Sequence, residues 1–197
     1  RSYFINNNGF IEKTYDKIHM FDVKINNKEK HQESSLFQAG NKINYAKILE
    51  FFVIFGALIL LCVVVFVDLL KIILIPNEAY WEAMDVVPIL LLAYLFLGIY
   101  HNLSVWYKIT DRTKFGAYIS IFGALSTLII NLLFIPKFGY MASATATLMA
   151  YASMAFISYV LGQKHYKVPY NLKKIGLYLI LSTGFSALSF YVFREQY

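Results

Sequence analysis

From residue 51 onward the chain alternates long apolar runs with short polar connections, the runs covering residues 51–67, 86–107, 115–135, 138–162 and 175–193. A helix rises about 1.5 Å per residue, so roughly 20 residues cross a hydrocarbon core about 30 Å thick. Each run is near that length and none contains Asp, Glu, Lys or Arg. The pattern predicts five membrane helices, the first extendable through residues 72–75 past Asp68 and Lys71. Residues 1–50 are polar, rich in Asn and Lys, and hold no run long enough to cross. They read as a separate segment in which residues 6–9 (Asn-Asn-Asn-Gly) mark a turn. The mixed charges Glu12, Lys13, Asp16 and Lys17 suit an exposed helix face or a solvated tail. The fold class this predicts is an all-α, polytopic transmembrane helix bundle over residues 51–197.

The shortest connection lies inside the stretch IINLLFIPKFGYMASATAT, where two runs meet at Pro136, Lys137, Phe138 and Gly139. Proline disfavours helical dihedrals at the residue before it, and glycine permits the conformations a tight reversal needs, so both helices are expected to stop there. The result is a helical hairpin. Small residues form stripes on both of its arms. Gly116, Ser120, Gly123, Thr127 and Asn131 recur at helical spacing on one, and Gly139, Ser143, Ala146, Ala150 and Ser153 on the other. Close helix packing in lipid uses such residues. The competing reading is the polar wall of a hydrated cavity. Asn131 argues most for that, because a carboxamide in hydrocarbon needs a partner or water. His101 and Asn102, near one end of the second run, are candidates for contact with a polar substrate headgroup, set against simple solvation at the interface.

Basic residues set the expected orientation. All but three (Lys71, Lys137 and Arg194) of the 18 Lys and Arg fall in the N-terminal segment, the loop with Lys108, Arg112 and Lys114, or the loop with Lys164, Lys167, Lys173 and Lys174. Cytoplasmic loops are enriched in these residues, which places the N-terminus inside and the C-terminus outside. The opposite connection is acidic, with Glu78, Glu82 and Asp85. The net charge of +6 is therefore explained by membrane orientation, and no basic stripe with interleaved aromatics points to nucleic acid.

Composition agrees, with 58% hydrophobic and 15% charged residues. The single cysteine, Cys62, rules out an internal disulfide and a cysteine metal site. No phosphate-cradling loop, HExxH, CxxC or GxSxG occurs, so no cofactor, metal or catalytic residue is assigned. The chain opens on Arg1, without a signal pattern, and ends soon after its fifth run, so it is expected to be a fragment of something longer.

Gly98-Ile99-Tyr100, Asn102, Ser104, the loop at residues 108–113 (KITDRT) and above all Asn131 to Thr147 resemble the C-terminal half of bacterial oligosaccharide flippases. These belong to the multidrug/oligosaccharidyl-lipid/polysaccharide exporter superfamily. Asn131, Ile135, Pro136, Phe138, Gly139, Ala144, Ala146 and Thr147 fit the pattern of that family, whereas Tyr140 and Met141 stand where it has a small residue. The resemblance implies a larger two-bundle transporter in the bacterial inner membrane that moves an undecaprenyl-linked oligosaccharide outward by alternating access, without bond chemistry. Its partners would be that lipid-linked substrate, membrane lipids and an N-terminal bundle, with Lys108, Arg112 and Lys114 placed to attract anionic headgroups. Three rivals stand beside it: a cation-coupled multidrug antiporter of the same superfamily, a membrane enzyme of envelope polysaccharide assembly, and a structural subunit whose stripes bind partner helices.

Overall fold

The computed structural model describes the backbone of residues 2–5, 11–15, 22–24, 30–32 and 43–190, and the side chains of residues 45–190. The chain divides into two compact units, residues 1–44 and 45–197.

In the first unit β1 (Ser2–Ile5) pairs antiparallel with β2 (Ile11–Tyr15), and β3 (Asp22–Lys24) with β4 (Lys30–Gln32). The first ladder starts at Ser2 opposite Tyr15 and shifts register between Phe4 and Ile5. Glu12 and Lys13 thus lie in a strand, not on a helix face. Their neighbours Ile11, Thr14 and Tyr15 pair with Ile5, Tyr3 and Ser2, and Lys13 itself pairs with Phe4; such β-branched and aromatic residues favour strands more strongly than two charges favour a helix. The expected turn at residues 6–9, and Asp16 and Lys17, lie outside the described residues.

The second unit is helical: α1 (Ile43–Val65), α2 (Val67–Leu74), a 3-10 helix (Glu78–Val86), α3 (Val87–Leu103), α4 (Val105–Ile109), α5 (Lys114–Phe138), α6 (Tyr140–His165) and α7 (Leu172–Leu188). Four helical stretches are long and apolar enough to cross a membrane: Tyr45–Val65, Glu78–Ile109, Lys114–Phe138 and Tyr140–His165. At 17 residues α7 spans about 25 Å, short of a full crossing, and the chain continues into a π turn at residues 189–190. Residues 191–193, the end of the fifth predicted run, lie outside the described residues.

Side-chain contacts fix the helix directions. Gly56 faces Leu95 and Gly98 faces Phe52, so α1 and α3 run antiparallel. Tyr94 of α3 meets Tyr151, and Trp106 of α4, just beyond the end of α3, meets His165, so α3 and α6 run parallel. Gly123 faces Met154 across the α5–α6 hairpin, and Glu50 pairs with Lys174 at 3.2 Å near the start of α7. The buried positions of α6 are mostly small, Ala142, Ala144, Ala146 and Ala150 among them, which lets α3 and α5 close on it from two sides.

The α5–α6 turn is tighter than the sequence suggests. Helix α5 runs through Pro136 to Phe138, and Gly139 alone separates it from α6. Proline in the last turn removes only one N–H, and the Gly139 N–H still closes the helix on the Ile135 carbonyl at 2.8 Å. The reversal rests on Gly139, whose φ of 58° and ψ of −142° form a conformation almost reserved for glycine.

Candidate functional site

The three candidate path residues do not come together. Asn102 lies in the last turn of α3 and donates from Nδ2 to the Gly98 carbonyl of its own helix at 2.9 Å. His101, next to it, is exposed, with its ring 5.3 Å from that of Tyr100. Asn131 sits on α5, eleven positions beyond Ser120, the residue that touches Tyr100. That offset is roughly 16 Å along the helix. The Oδ1 of Asn131 is buried and has no hydrogen-bond partner among the described residues.

The stripe residues fall into two groups. Gly116 lies under the Tyr107 ring, where a Cβ would come within 2.9 Å of it, and Gly123 lies under Met154. Ala146 and Ala150 are fully buried. Two of the hydroxyl-bearing members turn back onto their own helices, Thr127 donating to the Gly123 carbonyl at 3.0 Å and Ser153 to the Ala150 carbonyl at 2.8 Å, whereas Ser120 Oγ lies 3.4 Å from the Tyr100 hydroxyl. A hydroxyl satisfied in this way has less left to offer a ligand.

Sequence reasoning did not single out the polar cluster that does form. The Tyr100 hydroxyl lies 3.3 Å from that of Tyr107 and 3.4 Å from Ser120 Oγ, joining α3, α4 and α5. Tyr100 and Tyr107 are seven residues apart, two helical turns, and that spacing was the available signal. Beside it the Trp106 ring stacks on His165 at 5.3 Å with an interplanar angle of 9°, flanked by Phe115. His165 Nδ1 lies 2.9 Å from the Leu161 carbonyl. The Trp106 N–H is buried with no acceptor among the described residues.

Lys108, Arg112 and Lys114 are exposed around the α4–α5 connection, and Lys164 and Lys167 lie at the connection after α6. Because α3 and α6 run parallel, both basic connections fall at one end of the bundle. In the second of them burial pushes the Tyr170 phenol up to about 12, with Tyr166 adding a smaller effect, and burial also raises Tyr166. At the other end Lys71 pairs with Asp68 and lies 5.2 Å over the Trp81 ring, whose N–H donates to the Ile75 carbonyl at 3.1 Å. Among the described residues no three His, Cys, Asp or Glu side chains gather as metal ligands would.

No known protein family, no curated protein and no solved structure matches this chain.

Proposed function

We propose that the chain is one bundle of a flippase that moves an undecaprenyl-linked oligosaccharide across the bacterial inner membrane, working with a second bundle by alternating access. In this reading the N-terminus is cytoplasmic, α7 completes a fifth crossing, and the basic end draws anionic headgroups from the inner leaflet. The observation that carries it is Asn131: a buried amide oxygen without a partner among the described residues, on α5, the least covered of the four candidate spans. An orphan acceptor in hydrocarbon is costly, and a donor arriving from a hydrated cavity or a sugar hydroxyl would satisfy it. The resemblance of residues 131–147 to flippases supports the same assignment.

The test is transport of a labelled undecaprenyl-pyrophosphate oligosaccharide in proteoliposomes holding the complete transporter. Translocation that falls at least tenfold in a folded Asn131→Leu variant is the expected result. Cation-coupled export of small dyes with no movement of lipid-linked sugar would replace this reading with the multidrug antiporter.

A further inference from the structure

At the basic end three helices converge on one aromatic cluster. Trp106 of α4 lies 5.4 Å from Phe115 and 5.3 Å from His165, and the Phe115 and His165 rings are themselves 5.3 Å apart. Phe115 is the second residue of α5 and His165 the last of α6, so the cluster pins together the open end of the hairpin. Each of these two rings has an exposed lysine as its chain neighbour, Lys114 on α5 and Lys164 on α6. Packed helices lie about 8–10 Å apart, so the two ammonium groups reach out from backbones separated by about that distance. Lys108, Arg112 and Lys167 are exposed around them, and Asp111 is the only acid in the two connections. Beyond each lysine the helix is apolar and stays exposed. Tyr118, Ile121, Leu125 and Leu128 follow Lys114 on one face of α5, each more than half exposed, and the exposed Val160 and Phe156 precede Lys164 on α6.

We propose that this end of the hairpin binds a cardiolipin-type lipid, with one phosphate at Lys114, the other at Lys164, and acyl chains against the apolar rows beyond them. A cation by itself attracts any anionic lipid, and basic surfaces between membrane helices are where doubly charged headgroups gain most. The pairing supplies the discrimination. Once one phosphate is held, the second is joined to it through a single glycerol and meets its lysine at high effective concentration. Phosphatidylglycerol carries one phosphate, engages one lysine, and leaves the other to a second molecule that loses its own freedom on binding. The aromatic cluster holds the roots of both lysines in place before any lipid arrives, which lowers the ordering cost. The apolar rows favour a lipid over a soluble polyanion. This inference sharpens the reading that the basic end draws anionic headgroups and is independent of transport, since a chain that moves no sugar would still show it.

The experiment is native mass spectrometry of the delipidated full chain titrated with cardiolipin, phosphatidylglycerol and phosphatidylethanolamine. Cardiolipin is expected to bind about fivefold tighter than phosphatidylglycerol, the gain from one further cation–phosphate contact, with phosphatidylethanolamine weakest. Lys114→Gln and Lys164→Gln should each bring cardiolipin down to the phosphatidylglycerol level, and the double variant should lower the ratio no further. Both side chains are exposed, so the fold is kept. Lys137→Gln, at the opposite end, should leave the ratio unchanged. Equal binding of cardiolipin and phosphatidylglycerol, a preference that survives in either single variant, or an equal loss in Lys137→Gln would each overturn the proposal, leaving attraction by net charge alone.

Discussion

At the scale of single residues, the eight described glycines of the second unit are not equivalent, and the difference is measurable. A Cβ at Gly139 meets nothing within 4 Å, as at Gly176 and Gly184, so space alone treats the three alike. Only Gly139 has a positive φ. A backbone conformation of that kind costs an L-residue about 1–3 kcal/mol. Replacing a helical glycine with alanine removes unfolded-state entropy and gains about 0.4–1 kcal/mol where the backbone allows it. Gly139→Ala is therefore expected to destabilise the bundle by about 1–3 kcal/mol, and Gly176→Ala to be neutral or stabilising. Denaturant unfolding in micelles, followed by circular dichroism, checks both. Equal effects would mean that the hairpin tip is not held by the Gly139 conformation.

At the scale of elements, α6 holds the bundle together, and its contact with Trp106 is the least forgiving. The indole lies against Gly162, where a Cβ would come within 2.9 Å of Cδ1, and its far side is fixed by His165 and Phe115. At Gly123 the neighbour is the Met154 thioether, a flexible side chain that can swing aside. Helix propensity favours replacing either glycine by up to about 1 kcal/mol, whereas overpacking a rigid contact costs about 1–3 kcal/mol. Gly162→Leu should thus lose about 1–2 kcal/mol net and shift the Trp106 emission, measured in a Trp81→Phe background, while Gly123→Ala stays near neutral. These elements were legible in the sequence to different degrees. Apolar runs locate a helix because hydrocarbon thickness sets its length, but they stop where polarity begins, so α1 starts at Ile43, eight residues before its run. The strands at residues 2–32 escaped because charges were weighed above β-branched and aromatic neighbours. Pro136 misled because its cost depends on how close it lies to the helix end. Of the candidate site, Asn131 was visible as a polar residue in an apolar run. The aromatic cluster of Trp106, Phe115 and His165 was not, because it depends on how helices meet and leaves no mark on any one of them.

At the scale of the whole molecule, the parallel arrangement of α3 and α6 makes charge a property of the ends. Lys108, Arg112, Lys114, Lys164, Lys167 and Lys173 are exposed at or beside the connections of one end. At the other end lie Glu78 and Glu82, while Lys71 is held between Asp68 and Trp81. Each cation near an anionic leaflet contributes about 1 kcal/mol, so the six together outweigh Lys137, the one exposed cation of the opposite end among the described residues, by several kcal/mol. No single substitution should therefore invert the chain. Two single-cysteine variants, Arg112→Cys and Glu78→Cys, each in a Cys62→Ser background, test the consequence. An impermeant maleimide added to intact cells is expected to label the protein at position 78 and to reach position 112 only after lysis. The reverse pattern would place the basic end outside, and the cationic residues would then need a role other than orientation. Labelling at both positions would mean that the two connections share one side and that the stretch Glu78–Ile109 between them does not cross.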